Sequence, residues 1–199
     1  MPLGCDCFPG CWGRHSENKI GIYGGSHGGY GKEFLRAGFK QIGRKVMDDV
    51  EDGVKYAISQ GWVNENKIGI YGGSHGGYAT LMGLVKTPDL YACGVNYVGV
   101  SNIETLFKSI PEYWKPQLKI MGEIWYDLDN PEELKIAREV SAVNNVDKIK
   151  KPLLVVQGAN DPRVNINDIC LLHLLIRLLI LLVLIANQKD LRGYQNKKN

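Results

Sequence analysis

Residues 67–86 read KIGIYGGSHGGYATLMGLVK, with four glycines crowded around one serine and one histidine and apolar residues on either side. Lys67 to Tyr71 has the length and apolar content of a short strand. Tyr78 to Lys86 suits a helix, with Pro88 beyond its end. The glycines between them permit a tight strand-to-helix turn. Upstream, Val46, Val50, Val54, Ala57 and Ile58 follow helical spacing, and Asp48, Asp49, Glu51, Asp52 and Lys55 take the other faces. Gly61 is placed to stop that helix. Tyr91 to Val100 reads as the next buried strand. Helix, strand, turn, helix and strand in this order predict an α/β domain with a mostly parallel sheet and flanking helices.

The same order continues downstream. Residues 101–145 are polar and aromatic with helical pieces, of which Pro131 to Val140 starts well, with Pro131 followed by Glu132 and Glu133. Leu153 to Gln157 is a strongly apolar run of strand length that ends at Gly158. Ile169 to Ala186 then changes character. It is almost wholly aliphatic, broken by His173 and Arg177, and lacks the polar face of a surface helix.

One segment occurs twice without a single change. ENKIGIYGGSHGGY spans residues 17–30 and again 65–78. Structural repeats diverge and come in arrays of three or more, so two perfect copies indicate a duplicated segment. Only the second copy has the helix and strands described above around it. The first follows Cys, Gly and Pro, and precedes Gly31 and a weakly periodic stretch. The sequence therefore divides into an atypical segment 1–29, an α/β domain over 30–168, and an atypical aliphatic segment with a basic tail over 169–199.

Gly72-Gly73-Ser74-His75-Gly76 matches the G-x-S-x-G of a nucleophile elbow. Such a serine sits on a sharp turn between strand and helix, and the amide after it, here that of His75, points into an oxyanion hole. The His75 imidazole follows the nucleophile directly and is expected to point away from it. Ser26 carries the same motif without the flanking elements and reads as a non-functional duplicate. Asp161, in the loop past Leu153 to Gln157, stands where a carboxylate can orient a base. A turn-forming aspartate before Pro162 is the competing reading. Along such chains the order is Ser, then Asp or Glu, then His. His173 is the one histidine after Asp161, only twelve residues on and inside the aliphatic run, which leaves no room for a helix and a strand. It reads as a buried structural histidine, so the base is not identified and activity is expected to be impaired.

Other chemistry is weakly supported. The net charge of +3 argues for no nucleic acid. No cofactor or metal is expected. Five cysteines make an odd set for a disulfide framework. Cys5, Cys7 and Cys11 with His15 could be drawn as a zinc site, but their spacing fits no familiar pattern and free thiols are the reading adopted. Cys93 and Cys170 lie in apolar runs and are expected in the core. Met1 to Trp12 lacks the features of a secretory signal, which predicts cytoplasmic residence. Residues 169–186 approach the ~20 needed to span a bilayer. Arg177 would cost about 3 kcal/mol against roughly −0.5 for each aliphatic residue, which keeps a membrane anchor as a minority alternative.

Gly72 to Tyr78 resembles the nucleophile segment of the prolyl oligopeptidase family of serine peptidases, especially its acylaminoacyl-peptidase and dipeptidyl-aminopeptidase-like branch. Gln157-Gly158-Ala159-Asn160-Asp161-Pro162-Arg163-Val164 is similar to the family's acid loop, G-x-x-D-x-R-V. Tyr30-Gly31-Lys32-Glu33-Phe34 and the acids Asp48, Asp49 and Asp52 resemble its G-Y-G-x-x-F and D-D-x-x-D segments. The similarity runs over about two thirds of the chain, from Tyr30 to Asn167. It implies an α/β-hydrolase fold, cofactor-free acyl transfer through Ser74 with Asp161 as the acid, and a peptide substrate. Tyr30 is the loose match for the tyrosine that completes the family's oxyanion hole. The H-G-G-P-type loop and the histidine segment are missing, which predicts a domain truncated at both ends. A remnant that binds peptides or partners without catalysis is the alternative.

Overall fold

The computed structural model describes residues 30–168 and, as backbone alone, residues 181–186. The duplicated copy, the cysteines of the first eleven residues, His15, Ser26, Cys170, His173 and Arg177 lie outside the described residues.

Four parallel strands form one sheet in the order β1-β2-β3-β4: β1 Gly69–Gly73, β2 Cys93–Tyr97, β3 Leu153–Gly158 and β4 Leu181–Ala186. The helices are α1 Lys32–Ala37 and α2 Lys45–Ser59 before β1, α3 His75–Lys86 between β1 and β2, and α4 Ile103–Lys108, α5 Leu118–Ile124 and α6 Pro131–Glu139 between β2 and β3. The expected order holds throughout. β1 sits two residues later than expected, and α3 begins directly after Ser74 rather than at Tyr78. Pro131 opens α6 as expected, behind an Asn130 side chain that accepts from Glu132 N–H at 3.0 Å.

The core lies on one face of this sheet. Leu153, Val155 and Gln157 of β3 and Gly94 and Asn96 of β2 are buried there, against Thr80, Leu81 and Leu84 of α3. Two tyrosines tie distant segments to that core. The buried Tyr78 hydroxyl donates to Val140 O at 2.9 Å, and that of Tyr126 to Ile42 O at 2.6 Å.

The other face is comparatively bare. Tyr71 is 72 % exposed, Tyr97 is 40 % exposed, and Leu154 and Val156 are only partly covered. Cys93 belongs to this face and is exposed, which corrects the expectation of a core residue. An apolar neighbourhood in sequence does not say which way a strand residue points. Leu181–Ala186 of the aliphatic run are the strand β4, paired in parallel with Leu153–Gly158. Among the described residues no helix is long and apolar enough to cross a membrane.

α4 and α6 are clamped by charge. Glu104 accepts from Arg138 Nε at 2.7 Å and from Lys108 Nζ at 2.6 Å. The Arg138 and Lys108 hydrogen bonds hold the Glu104 carboxyl down at about 2. The group is more acidic folded than unfolded, so its contribution is present above its ordinary carboxylate range and is lost as pH falls through about 2. Urea unfolding between pH 5 and pH 2 should therefore show a shallower loss of stability for Glu104→Gln than for the parent chain.

Candidate active site

Ser74 occupies the single residue between the end of β1 and the start of α3. Its backbone is at φ 54°, ψ −116°, a region that a residue with a side chain enters only at a cost of about 1–3 kcal/mol. The surroundings hold it there. Ser74 N–H donates to Tyr97 O at 2.9 Å, and Ser74 O accepts from Tyr78 N–H at 3.0 Å. A Cβ on Gly72 would stand 2.2 Å from Gly76 O, and one on Gly77 would stand 2.5 Å from Asn96 Oδ1. The chain doubles back on itself so closely that side chains at 72 and 77 have no room. Gly76 differs: a Cβ there would meet nothing within 4 Å.

Ser74 itself is exposed. As the first residue of α3, His75 has an N–H with no intrahelical acceptor, beside the positive end of the helix. Its imidazole goes elsewhere. The ring stands edge-on to Trp125 at 5.3 Å and lies 5.9 Å from Tyr78. Burial lowers its pKa and keeps it neutral, and Nε2 has no hydrogen-bond partner among the described residues. The side chain is a packing element, as its place in the sequence suggested.

Asp161 lies in the loop after β3. Its Oδ1 accepts from Arg163 N–H at 2.8 Å and Val164 N–H at 3.0 Å. The turn-forming reading is therefore correct as local structure, and it leaves Oδ2 outside the turn. Buried Gln157 fastens the same loop, its Nε2 donating to Val164 O at 2.9 Å. Ser74 and Asp161 both line one cleft of about 380 Å³, together with Tyr97, Val98, Gly158 and Arg163. In a parallel sheet the ends of β1, β2 and β3 reach the same rim, and that rim is where such folds place their sites. A larger cleft of about 1210 Å³, bordered by Phe39, Phe107, Lys119 and Tyr126, contains neither residue.

Two features of the cleft were not foreseen. Val98 has φ 47°, an outlier for a β-branched residue, just past β2. Arg163 sits over the Trp114 ring at 5.1 Å, which fixes a cation at the cleft wall. Strain and aromatic stacking leave no trace in a sequence pattern, though both residues follow a strand end. Tyr30 is not among the residues of this cleft. It is 60 % exposed and stacks on Phe34 at 5.3 Å, because α1 has no buried residue to draw it toward the sheet.

The base also has a topological address. β1 ends at the serine and β3 at the aspartate, so the next rim position follows β4. Residues 187–199 contain no histidine, and His173 precedes β4 in the chain. Among the described residues no group of three or more His, Cys, Asp or Glu side chains is arranged to hold a metal ion.

The model of the prolyl oligopeptidase family matches residues 26–173. The chain belongs to the prolyl oligopeptidase family. It is 45 % identical over 136 residues to dipeptidyl aminopeptidase BIII of Pseudoxanthomonas mexicana, covering 68 % of this chain and 20 % of that protein. It is 40 % identical over 140 residues to dipeptidyl peptidase family member 6 of Caenorhabditis elegans, covering 68 % of this chain and 18 % of that protein. This prolyl oligopeptidase family chain thus spans about a fifth of the length of these relatives. Its fold is that of a Mycobacterium tuberculosis puromycin-hydrolyzing peptidase, with TM-score 0.71 at 22 % identity over 80 % of this chain and 24 % of that one. A Pyrococcus horikoshii acylaminoacyl peptidase gives 0.67 at 23 % identity, over 82 % of this chain and 27 % of that one. These neighbours are α/β-hydrolase peptidases, and the parallel sheet with its flanking helices is the corresponding architecture.

Proposed function

We propose that this chain is the nucleophile-and-acid part of a serine peptidase that cleaves peptide bonds through an acyl-enzyme at Ser74. The observation that carries the reading is the shared cleft: an exposed serine on a strained strand-to-helix turn, with a carboxylate loop on the same rim. Ser74 Oγ attacks the scissile carbonyl, and the His75 N–H donates to the oxygen as it gains charge. Asp161 orients an imidazole that takes the serine proton and passes it to the leaving amine. Water then releases the acyl group by the same route in reverse. Family membership and the dipeptidyl aminopeptidase relative support a peptide as the substrate.

A second reading has a specific observation behind it. His75 is the one histidine among the described residues, and it faces Trp125. A chain without a base on the rim keeps the cleft and binds peptides without turning them over.

A fluorophosphonate probe in the presence of added imidazole, followed by peptide mapping, tests the first reading. The adduct is expected on Ser74, lost in Ser74→Ala and retained in Ser26→Ala. An adduct on Ser26 with Ser74 unmodified, or none at either, contradicts it.

A further inference from the structure

The strained turn at Ser74 has few side chains with which to hold itself. Of residues 72–77, four are glycines, and His75 is the one besides Ser74 that carries a side chain. A residue in an unfavourable backbone conformation stays there only when its surroundings fix it. Two main-chain hydrogen bonds fix Ser74 itself, from Ser74 N–H to Tyr97 O and from Tyr78 N–H to Ser74 O. The N–H placed to meet a developing oxyanion belongs to the next residue. That residue opens α3, and the second and third positions of α3 are Gly76 and Gly77. Glycine is a poor helix former, so the backbone alone holds this N–H loosely.

The His75 ring leads out of this weak turn. Its aromatic neighbours are Tyr78, 5.9 Å away, and Trp125, 5.3 Å away and edge-on. Tyr78 stands three residues along the same helix and moves with it, whereas Trp125 caps the end of α5. Trp125 also meets Tyr78 at 5.7 Å, which closes a cluster of three rings against the core. The segment carrying Trp125 is tied down on both sides. Trp125 N–H donates to Met121 O at 2.8 Å, and Ile124 O accepts from Lys40 N–H at 2.9 Å. The Tyr126 hydroxyl donates to Ile42 O. His75 Nε2 is buried without a hydrogen-bond partner among the described residues, so packing rather than a polar contact sets where this ring lies.

We propose that Trp125 is a positioning residue of the active site. By pinning the His75 ring it aims the His75 N–H at the oxygen that gains charge as Ser74 attacks. This rests on the reading of Ser74 as the nucleophile.

Fluorophosphonate labelling of the full chain in the presence of imidazole tests it. Ser74 Oγ bonds to phosphorus, fluoride leaves, imidazole takes the proton, and the phosphonyl oxygen stands where the oxyanion would. Trp125→Ala should slow labelling by about tenfold, a part of what losing an entire oxyanion donor costs. Trp125→Phe keeps an aromatic partner for the imidazole and should restore most of the rate. His75→Ala keeps the N–H but removes the ring. It should slow labelling as much as Trp125→Ala does, and the double variant should be no slower than either. In the labelled parent the His75 amide proton should move downfield through its bond to the phosphonyl oxygen, and Trp125→Ala should reduce that shift. If Trp125→Ala does not fold, His75→Ala carries the test. No labelling of Ser74 in the parent removes the nucleophile reading and this proposal together. A parent that labels, with an unchanged rate in Trp125→Ala or in His75→Ala, overturns this proposal alone. So does slowing that accumulates in the double variant, which would mean that Trp125 acts on the fold and not through the His75 ring.

Discussion

Gly72→Ala is expected to destabilise the chain by about 3 kcal/mol or more, while Gly76→Ala, in the same motif, leaves it within about 1 kcal/mol of the parent and on the stabilising side. Neither glycine has a positive φ, so backbone strain does not separate them. Space does. A Cβ at 72 would lie 2.2 Å from Gly76 O and 2.3 Å from its carbonyl carbon, both main-chain atoms in the first turn of α3. Relieving that contact means moving the helix off β1, with Leu81 and Leu84, both fully buried, along with it. At 76 the new methyl points into open space, and alanine is the better helix former. Urea unfolding midpoints of the two variants measure the difference. Equal midpoints would mean that the serine turn is looser than the close approach of 72 and 76 implies.

The second large effect concerns the base. A triad lacking its histidine keeps the oxyanion donor and the binding cleft but loses about 10⁶ in kcat. Turnover of a peptide anilide by this chain should therefore fall far below that of a relative with all three groups. Added imidazole should restore part of the rate, because the cleft beside Ser74 and Asp161, about 380 Å³, can admit a small base. The rise should be first order in neutral imidazole, so it should grow as pH passes the ordinary histidine range and level off above it. Ser74→Ala should abolish it. Rescue in Ser74→Ala would assign the hydrolysis to imidazole alone.

Much of this architecture is legible in the amino-acid order because local rules agree with the fold. The helix over Lys45–Ser59 follows from the spacing of Val46, Val50 and Val54, and the elbow from a strand, glycines and a helix in sequence. Position along the strands is less legible. The apolar run Tyr91 to Val100 hides the period-2 alternation, so its sequence points Cys93 to the core although the structure exposes it. The aliphatic stretch lacks the polar face of a surface helix, and hydrophobicity alone does not say what else it forms. Leu181–Ala186 took the strand, since β3 offers them a full ladder. For the site, motif and order single out the serine and the aspartate, and the structure brings both to one cleft. Val98 and Arg163 were not assigned roles, since strain and stacking arise only when the strand ends meet at the rim. Tyr30 lies outside that cleft, just before a helix that buries nothing.

The rate of imidazole-dependent fluorophosphonate labelling of Ser74 in Asp161→Asn addresses the pairing of these two residues most directly. Asparagine keeps the Oδ1 acceptor for the Arg163 and Val164 amides, so the loop stays formed and only the charge is removed. If the carboxylate orients a base at the serine, the imidazole-dependent rate falls by about tenfold or more while labelling without imidazole is unchanged. An unchanged imidazole-dependent rate would show that Asp161 does nothing for Ser74 beyond shaping its own turn.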